Sequence, residues 1–256
     1  MVDDALAGCY VISLRPAGAH AGMRRAAAAH GARVLALSPW KLVWRDDALT
    51  RDSLRLALDG DRVLFTSPAA VRAAVALQPL RRRPDQPWLT IGASTAAALR
   101  RAGVMAGITP ARMDSEGLLA LPELQDIENL TIGMVTAPDG RDLLLTTLQQ
   151  RGARTARADV YAREPIALSP RIIRGLQAIN APMWLALSSG EALQRVLSAL
   201  PPAVRIHLQQ ARVVAASTRL AQLAQSLGFA DVVQAGSARP RDLIAAAARA
   251  ISHPLA

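Results

Sequence analysis

The chain repeats itself. "GAR" stands at Gly31 to Arg33 and again at Gly152 to Arg154, a shift of 121 residues, and Ser67 in "LFTSPAAV" lies 121 residues before Ser188 in "LALSSGEAL". Ser94 in "GAST" and Ser217 in "AAST" differ by 123, and Leu118 in "SEGLLAL" and Leu243 in "PRDLIAA" by 125. Four landmarks in one order with a drift of four residues mark an internal duplication. A chain of 256 residues should therefore fold as two similar bodies rather than around one core.

Each copy reads as short apolar strands followed by helices. In the first, "YVISL" leads to an Ala-rich helix ending near His30, and "RVLAL" follows. "RVLFT" then leads into a helix over Pro68 to Leu77, and "WLTIG" into one over Thr95 to Arg101. The second copy offers "TIGMVT", a helix over Arg141 to Arg151, "ADVYA", "MWLAL" with a helix from Glu191, "RVVAA" with its helix, and a last helix from Arg241. This alternation predicts an α/β protein with parallel sheets covered on both faces. Ligands of such sheets sit beyond the carboxyl ends of the strands, where helix N-termini converge. The turns expected there are "SLRP", "FTSP", "GAST", "TAPDGR", "LSSG" and "AAST". Their hydroxyls, at Ser67, Ser94, Thr95, Ser188 and Thr218 among others, are suited to capping helices. Capped helix starts also receive anions, so two lobes facing each other would build an anion-binding cleft.

Composition narrows the classes. The net charge of +10 fits an anionic partner, but the basic residues are dispersed arginines apart from Lys41, and 3% aromatic residues leave few platforms for stacking bases. A nucleic-acid-binding protein is thus a distant alternative. The lone Cys9 excludes an internal disulfide, and Cys9, His20, His30, His207 and His253 have no metal-ligand spacing. "GASTAAAL" lacks the glycines of a dinucleotide loop, and no lysine follows a glycine-rich turn as in a nucleotide-binding loop. No metal, nucleotide or flavin cofactor is expected. No apolar run approaches the roughly 20 residues that span a bilayer, and "LAGC" follows acidic residues rather than a signal segment, so a cytoplasmic location is expected.

The order of these motifs resembles the uroporphyrinogen-III synthase family, over about Tyr10 to Ile251. The resemblance is carried by "SLRP", "FTSPAAV", "IGASTAAAL" with "AGV" behind it, "DSEGLLAL", "GRDLLLTTLQQRGA", "VYAREP", "SSGEAL" and "STRLAQLAQSLGF". It implies two flavodoxin-like lobes joined by a two-stranded connector. One lobe would comprise residues 1–37 with 167–256, the other 42–159, with connectors at 38–41 and 160–166; the repeat makes Trp40 the counterpart of Tyr161. The chain departs from the family's commoner pattern at Ser13, where threonine often precedes the Arg-Pro pair, and at "VAAST", which lacks a Gly-Pro.

The activity implied is that of a cyclising lyase of tetrapyrrole and haem biosynthesis, which closes hydroxymethylbilane to uroporphyrinogen III with loss of water and inversion of ring D. The substrate is a linear tetrapyrrole with eight carboxylates, ionised at neutral pH because carboxyl pKa values lie near about 4. The resemblance points to Tyr161 as general acid for the departing hydroxyl. It makes Thr66, Ser67, Ser94, Thr95, Ser188, Ser189, Ser217 and Thr218 carboxylate-binding hydroxyls, with Arg15, Arg141 and Arg163 as charge partners. It further implies a monomer that receives its substrate by transient hand-over from hydroxymethylbilane synthase. A non-enzymatic two-lobed binding protein or sensor for an anionic metabolite would share the repeat and the capped turns without the ring closure.

Overall fold

The computed structural model describes residues 4–105, 107–112, 114–138 and 142–252. The first three strands are β1 (Tyr10–Ser13), β2 (Arg33–Ala36) and β3 (Trp40–Trp44), with α1 (Ala21–Ala28) between β1 and β2. Then come α2 (Ala48–Leu58), β4 (Arg62–Phe65), α3 (Pro68–Leu77), β5 (Trp88–Thr90), α4 (Ala93–Arg101) and the short α5 (Ser115–Leu119). A single 3-10 turn at Pro122–Leu124 precedes β6 (Thr131–Thr136), α6 (Asp142–Gln150), β7 (Arg154–Asp159) and β8 (Tyr161–Pro165). The chain continues through α7 (Pro170–Gln177), β9 (Met183–Leu187), α8 (Gly190–Ala199) and α9 (Pro202–Gln209). It ends with β10 (Arg212–Ala215), α10 (Thr218–Ser226), β11 (Val232–Gln234) and α11 (Pro240–Ser252).

Two compact units result, one of Met1–Lys41 with Glu164–Ala256 and one of Leu42–Arg163. The first holds a parallel sheet in the order β2-β1-β9-β10-β11. The second holds β7-β6-β4-β5, also parallel, extended past β5 by a single parallel bridge from Leu89 to Ile108. Under the repeat, β1 corresponds to β6, β2 to β7, β9 to β4, β10 to β5 and β11 to the Ile108 bridge, so both sheets run in the 2-1-3-4-5 order of flavodoxin-like folds. β3 and β8 form a separate two-stranded sheet. Arg45 N–H donates to the Val160 carbonyl at one end of it and Ile166 N–H to the Pro39 carbonyl at the other, an antiparallel arrangement. The repeat counterparts Trp40 and Tyr161 therefore open the two strands at opposite ends of this ribbon.

The inner strands β1, β4, β6, β9 and β10 are buried on both faces because their side chains are largely apolar at both parities, while β2, β7 and β11 at the sheet margins are only partly buried. In the second unit Val63, Phe65, Trp88 and Val135 join α2, α3 and α4 in one core, while Leu64, Leu89, Ile132 and Met134 join α5 and α6 in another. In the first unit Val11, Trp184, Ala186 and Val214 pack against Met23 and Ala27 of α1 and Leu243, Ile244 and Ala247 of α11.

The "GAR" landmark has a backbone cause. Gly31 and Gly152 follow α1 and α6 with φ of +76° and +79°, the left-handed conformation that ends a helix cheaply only at glycine. A Cβ at Gly152 would also lie 2.9 Å from Glu128 Cγ.

Two local expectations need correction. "ADVYA" is not one strand: β7 stops at Asp159 and β8 begins at Tyr161, so the chain changes sheets at Val160. The helix expected over Thr95 to Arg101 starts at Ala93, because Gly92 takes the extended cap position (φ −164°, ψ 165°).

Candidate functional site

In this strand order the sheet reverses direction of growth between its first and third strands, and ligands bind beyond the carboxyl ends there. The point lies between β6 and β4 in the second unit, and between β1 and β9 in the first.

In the second unit, Thr66 and Ser67 follow β4 and Thr136 ends β6. The Thr66 hydroxyl donates to Thr136 Oγ1 at 2.8 Å, tying the two turns together across the switch point. Ser67 caps α3, its Oγ accepting from Ala70 N–H at 3.0 Å, and Pro68 supplies the fixed φ favoured at the first helical position. The same Ser67 Oγ lies 3.0 Å from Tyr161 Oη. Tyr161 is 3% exposed, and its ring meets Trp44 edge-on with centroids 6.0 Å apart. Whichever hydroxyl donates within the Ser67–Tyr161 pair, the other keeps a proton for a third group. Arg157 of β7 donates to the carbonyls of Ala137 and Pro138, which fixes the turn leaving β6. Thr90, ending β5, shares a 2.8 Å hydrogen bond with Thr109.

In the first unit the turn after β1 carries Arg15. Its Nη2 donates to the Ala238 carbonyl at 2.9 Å, in the turn between β11 and α11. The Arg15 Nε–H is buried without a hydrogen-bond partner among the described residues. Burial lowers the Arg15 pKa from its ordinary value, so a nearby anion would be favourable on both counts. Behind this turn the buried His20 spans two serines, Nδ1 to Ser13 Oγ at 2.9 Å and Nε2 to Ser38 Oγ at 2.8 Å. After β9, Ser189 caps α8 through Ala192 N–H at 3.3 Å; after β10, Ser217 caps α10 through Leu220 N–H at 3.4 Å.

Five hydroxyls were expected as caps, and one of the five, Ser67, serves as one. Ser188 is displaced by its neighbour Ser189, and Thr218 by Ser217; Thr218 instead donates to Gln234 Oε1 at 3.1 Å. Ser94 and Thr95 sit inside the first turn of α4, Ser94 exposed and Thr95 buried, because the cap is Gly92, which has no side chain to satisfy the helix start. That leaves the N-terminus of α4 more receptive to an external acceptor than its repeat counterpart α10. Arg163 lies partly buried on β8. Arg141 lies outside the described residues.

Sequence reading missed His20, Ser38, Thr136 as a hydrogen-bond partner, and Arg157. Thr136 had a usable signal, a hydroxyl ending an apolar strand before "APDG"; the other three had none. Among the described residues no three His, Cys, Asp or Glu side chains converge in a way that could hold a metal ion, and no helix is long and apolar enough to cross a membrane.

Both sheets thus present hydroxyls and helix starts at the edge where α/β proteins bind ligands, and known proteins share this plan. A family model described as "Uroporphyrinogen-III synthase HemD" matches residues 22–245. Uroporphyrinogen-III synthase of Salmonella typhimurium is 34% identical over 200 residues, 74% of this chain and 76% of that relative. The Escherichia coli enzyme is 35% identical over 166 residues, covering 61% of this chain and 64% of the relative's length. Among solved structures, a mutant uroporphyrinogen III synthase from the extreme thermophile Thermus thermophilus matches 96% of this chain and 99% of its own, with a TM-score of 0.64 at 20% identity. The Helicobacter pylori synthetase gives 0.57 at 15% identity, over 93% of this chain and 97% of its own. The structural likeness shows the shared fold, and the family match over residues 22–245 shows the kinship: this chain belongs to the uroporphyrinogen-III synthase family.

Proposed function

We propose that the protein is a uroporphyrinogen-III synthase in activity as well as kinship, cyclising hydroxymethylbilane to uroporphyrinogen III with loss of water. The observation that carries this reading is the family match across both units. The hydroxyls and helix starts at the two switch points support it, because a substrate with many carboxylates needs many such receptors.

The reaction has little need of strong acid–base groups. Loss of the terminal hydroxyl is driven by a pyrrole nitrogen lone pair and gives an azafulvene. The substituted carbon of ring D attacks it, and a spiro intermediate rearranges so that ring D is inverted. Closure without inversion competes and gives the type I isomer. The protein's task is to hold the bilane so that one closure is favoured, by position and by electrostatics. Tyr161 hydrogen-bonds the departing hydroxyl and assists its exit as water, with the Ser67 pairing setting the direction of the phenol. Arg15, Arg141 and Arg163 pair with substrate carboxylates. Thr66, Ser67, Ser94, Thr95, Ser188, Ser189, Ser217 and Thr218, with nearby backbone N–H groups, receive the rest. The enzyme works without a cofactor, as a cytoplasmic monomer, and takes its unstable substrate by transient hand-over from hydroxymethylbilane synthase.

Expression in a bacterium lacking its own uroporphyrinogen-III synthase tests the reading. Restored growth without added haem is expected; no growth, with the protein present and folded in the cells, would overturn it.

A further inference from the structure

His20 has no place in the reaction just described, yet it is buried and uses both ring nitrogens at the switch point of the first unit. Its partners come from different segments: Ser13 ends β1, and Ser38 lies between β2 and β3. The bond to Ser13 closes a loop over Leu14 to Ala19, which carries Arg15. That loop is also held by Ala17 N–H on the Trp40 carbonyl, by Arg15 Nη2 on the Ala238 carbonyl and by an internal bond from Ala19 N–H to the Pro16 carbonyl. Each serine hydroxyl has one proton, and a neutral imidazole has one N–H and one acceptor nitrogen. The cluster therefore closes with one serine donating to the ring and the other accepting from it.

We propose that His20 is a positioning residue which, by clasping Ser13 to Ser38, holds the Arg15 turn in the form that receives a substrate carboxylate. The proposal rests on the synthase reading and specifies one binding group within it. Neutral, the ring holds the two serines as a directed pair, one donating and one accepting; charged, it would donate to both oxygens and keep both contacts. Burial first, then Arg24 of α1 and Arg15 of the turn, hold the His20 pKa below its usual value. The other two contacts, from β1 and the β2–β3 link, are serine hydroxyls, and among the described residues no carboxylate offsets the two arginines.

The test uses uroporphyrin III, a stable octacarboxylate, as binding probe, with tryptophan fluorescence as readout on the whole protein. Arg15→Ala should weaken binding about tenfold, the scale of one charge-assisted hydrogen bond. His20→Phe, which keeps a ring but neither bond, should weaken it to a similar extent. The double variant should bind no more weakly than Arg15→Ala alone, because His20 acts through Arg15. His20→Gln, with one donor and one acceptor, should recover at least part of the loss. Losses that multiply in the double variant, or a folded His20→Phe that binds like wild type, would overturn the proposal. Should His20→Phe not fold, Ser38→Ala replaces it in the same cycle with the same criteria. Turnover of hydroxymethylbilane by the wild type, measured separately, judges the synthase reading independently of these ratios.

Discussion

The hydroxyl pair of Ser67 and Tyr161 can be dissected by a double-mutant cycle. Tyr161→Phe keeps the buried ring and its edge contact with Trp44 but deletes the 3.0 Å bond to Ser67 Oγ. A buried neutral hydrogen bond contributes about 1 kcal/mol net. Ser67→Ala deletes the same bond and also the helix cap on Ala70 N–H, which adds about 1 kcal/mol. The single variants should therefore lose about 1 and about 2 kcal/mol. The double variant should lose about 2 rather than about 3, a coupling of about 1 kcal/mol. Urea unfolding followed by tryptophan fluorescence measures all four proteins, since Trp44 and Trp88 both report on the second unit. Costs that add to within about 0.3 kcal/mol would show that the two hydroxyls do not bond and would refute the geometry. The same Tyr161→Phe protein should lose about 100-fold in kcat, the low end for general-acid assistance, because the pyrrole nitrogen already drives departure. Full activity with full isomer purity would reduce Tyr161 to a packing residue.

Other perturbations have equally definite outcomes. Gly133→Ala would place a Cβ 1.7 Å from the Ala57 carbonyl oxygen, so α2 must lift from β6 and stability should drop by about 3 kcal/mol or more in denaturant titration. Arg15→Ala should raise KM for hydroxymethylbilane about tenfold with a smaller change in kcat, as expected for a group that binds a remote carboxylate. Asp47 caps α2, and the N–H and hydroxyl of Thr50 hold its carboxyl below the usual range. Its stabilisation should be complete above the unfolded carboxyl pKa near about 4 and disappear as pH falls through the lower folded value. An Asp47→Asn variant, compared by thermal melts across pH, should lack that acid dependence. Cys9 is a buried free thiol, so a thiol reagent at neutral pH should label it only as fast as the protein opens.

The strands that dominate the two sheets were legible because they are continuous apolar runs: "MWLAL" is β9, buried at all five positions, and "RVLF" is β4. The Ile108 bridge and β11 were not, since one is a single residue and the other a three-residue edge strand only partly buried. α2 was missed although Leu54, Ala57 and Leu58 stand at the i, i+3, i+4 spacing of an amphipathic helix among exposed Arg51, Asp52 and Arg55, a signal that was there to read. At the edges of the sheets the residue types were readable and their roles were not. "GAST" and "AAST" look alike, yet one helix is capped by Gly92 and the other by Ser217, a difference decided by which residue takes extended backbone. His20 was passed over because a lone histidine has no spacing to read. Ser13 and Ser38 lie 7 and 18 residues away and meet it only after β1 and β2 pair.

The central claim is that this chain steers ring closure toward inversion. Purified protein, with no added cofactor, is mixed with freshly prepared hydroxymethylbilane, and the oxidised product is separated into type I and type III uroporphyrin. Predominant type III, formed faster than type I forms in a protein-free control, is the predicted result. Type I alone, at the uncatalysed rate and with the protein shown to be folded, would contradict the claim.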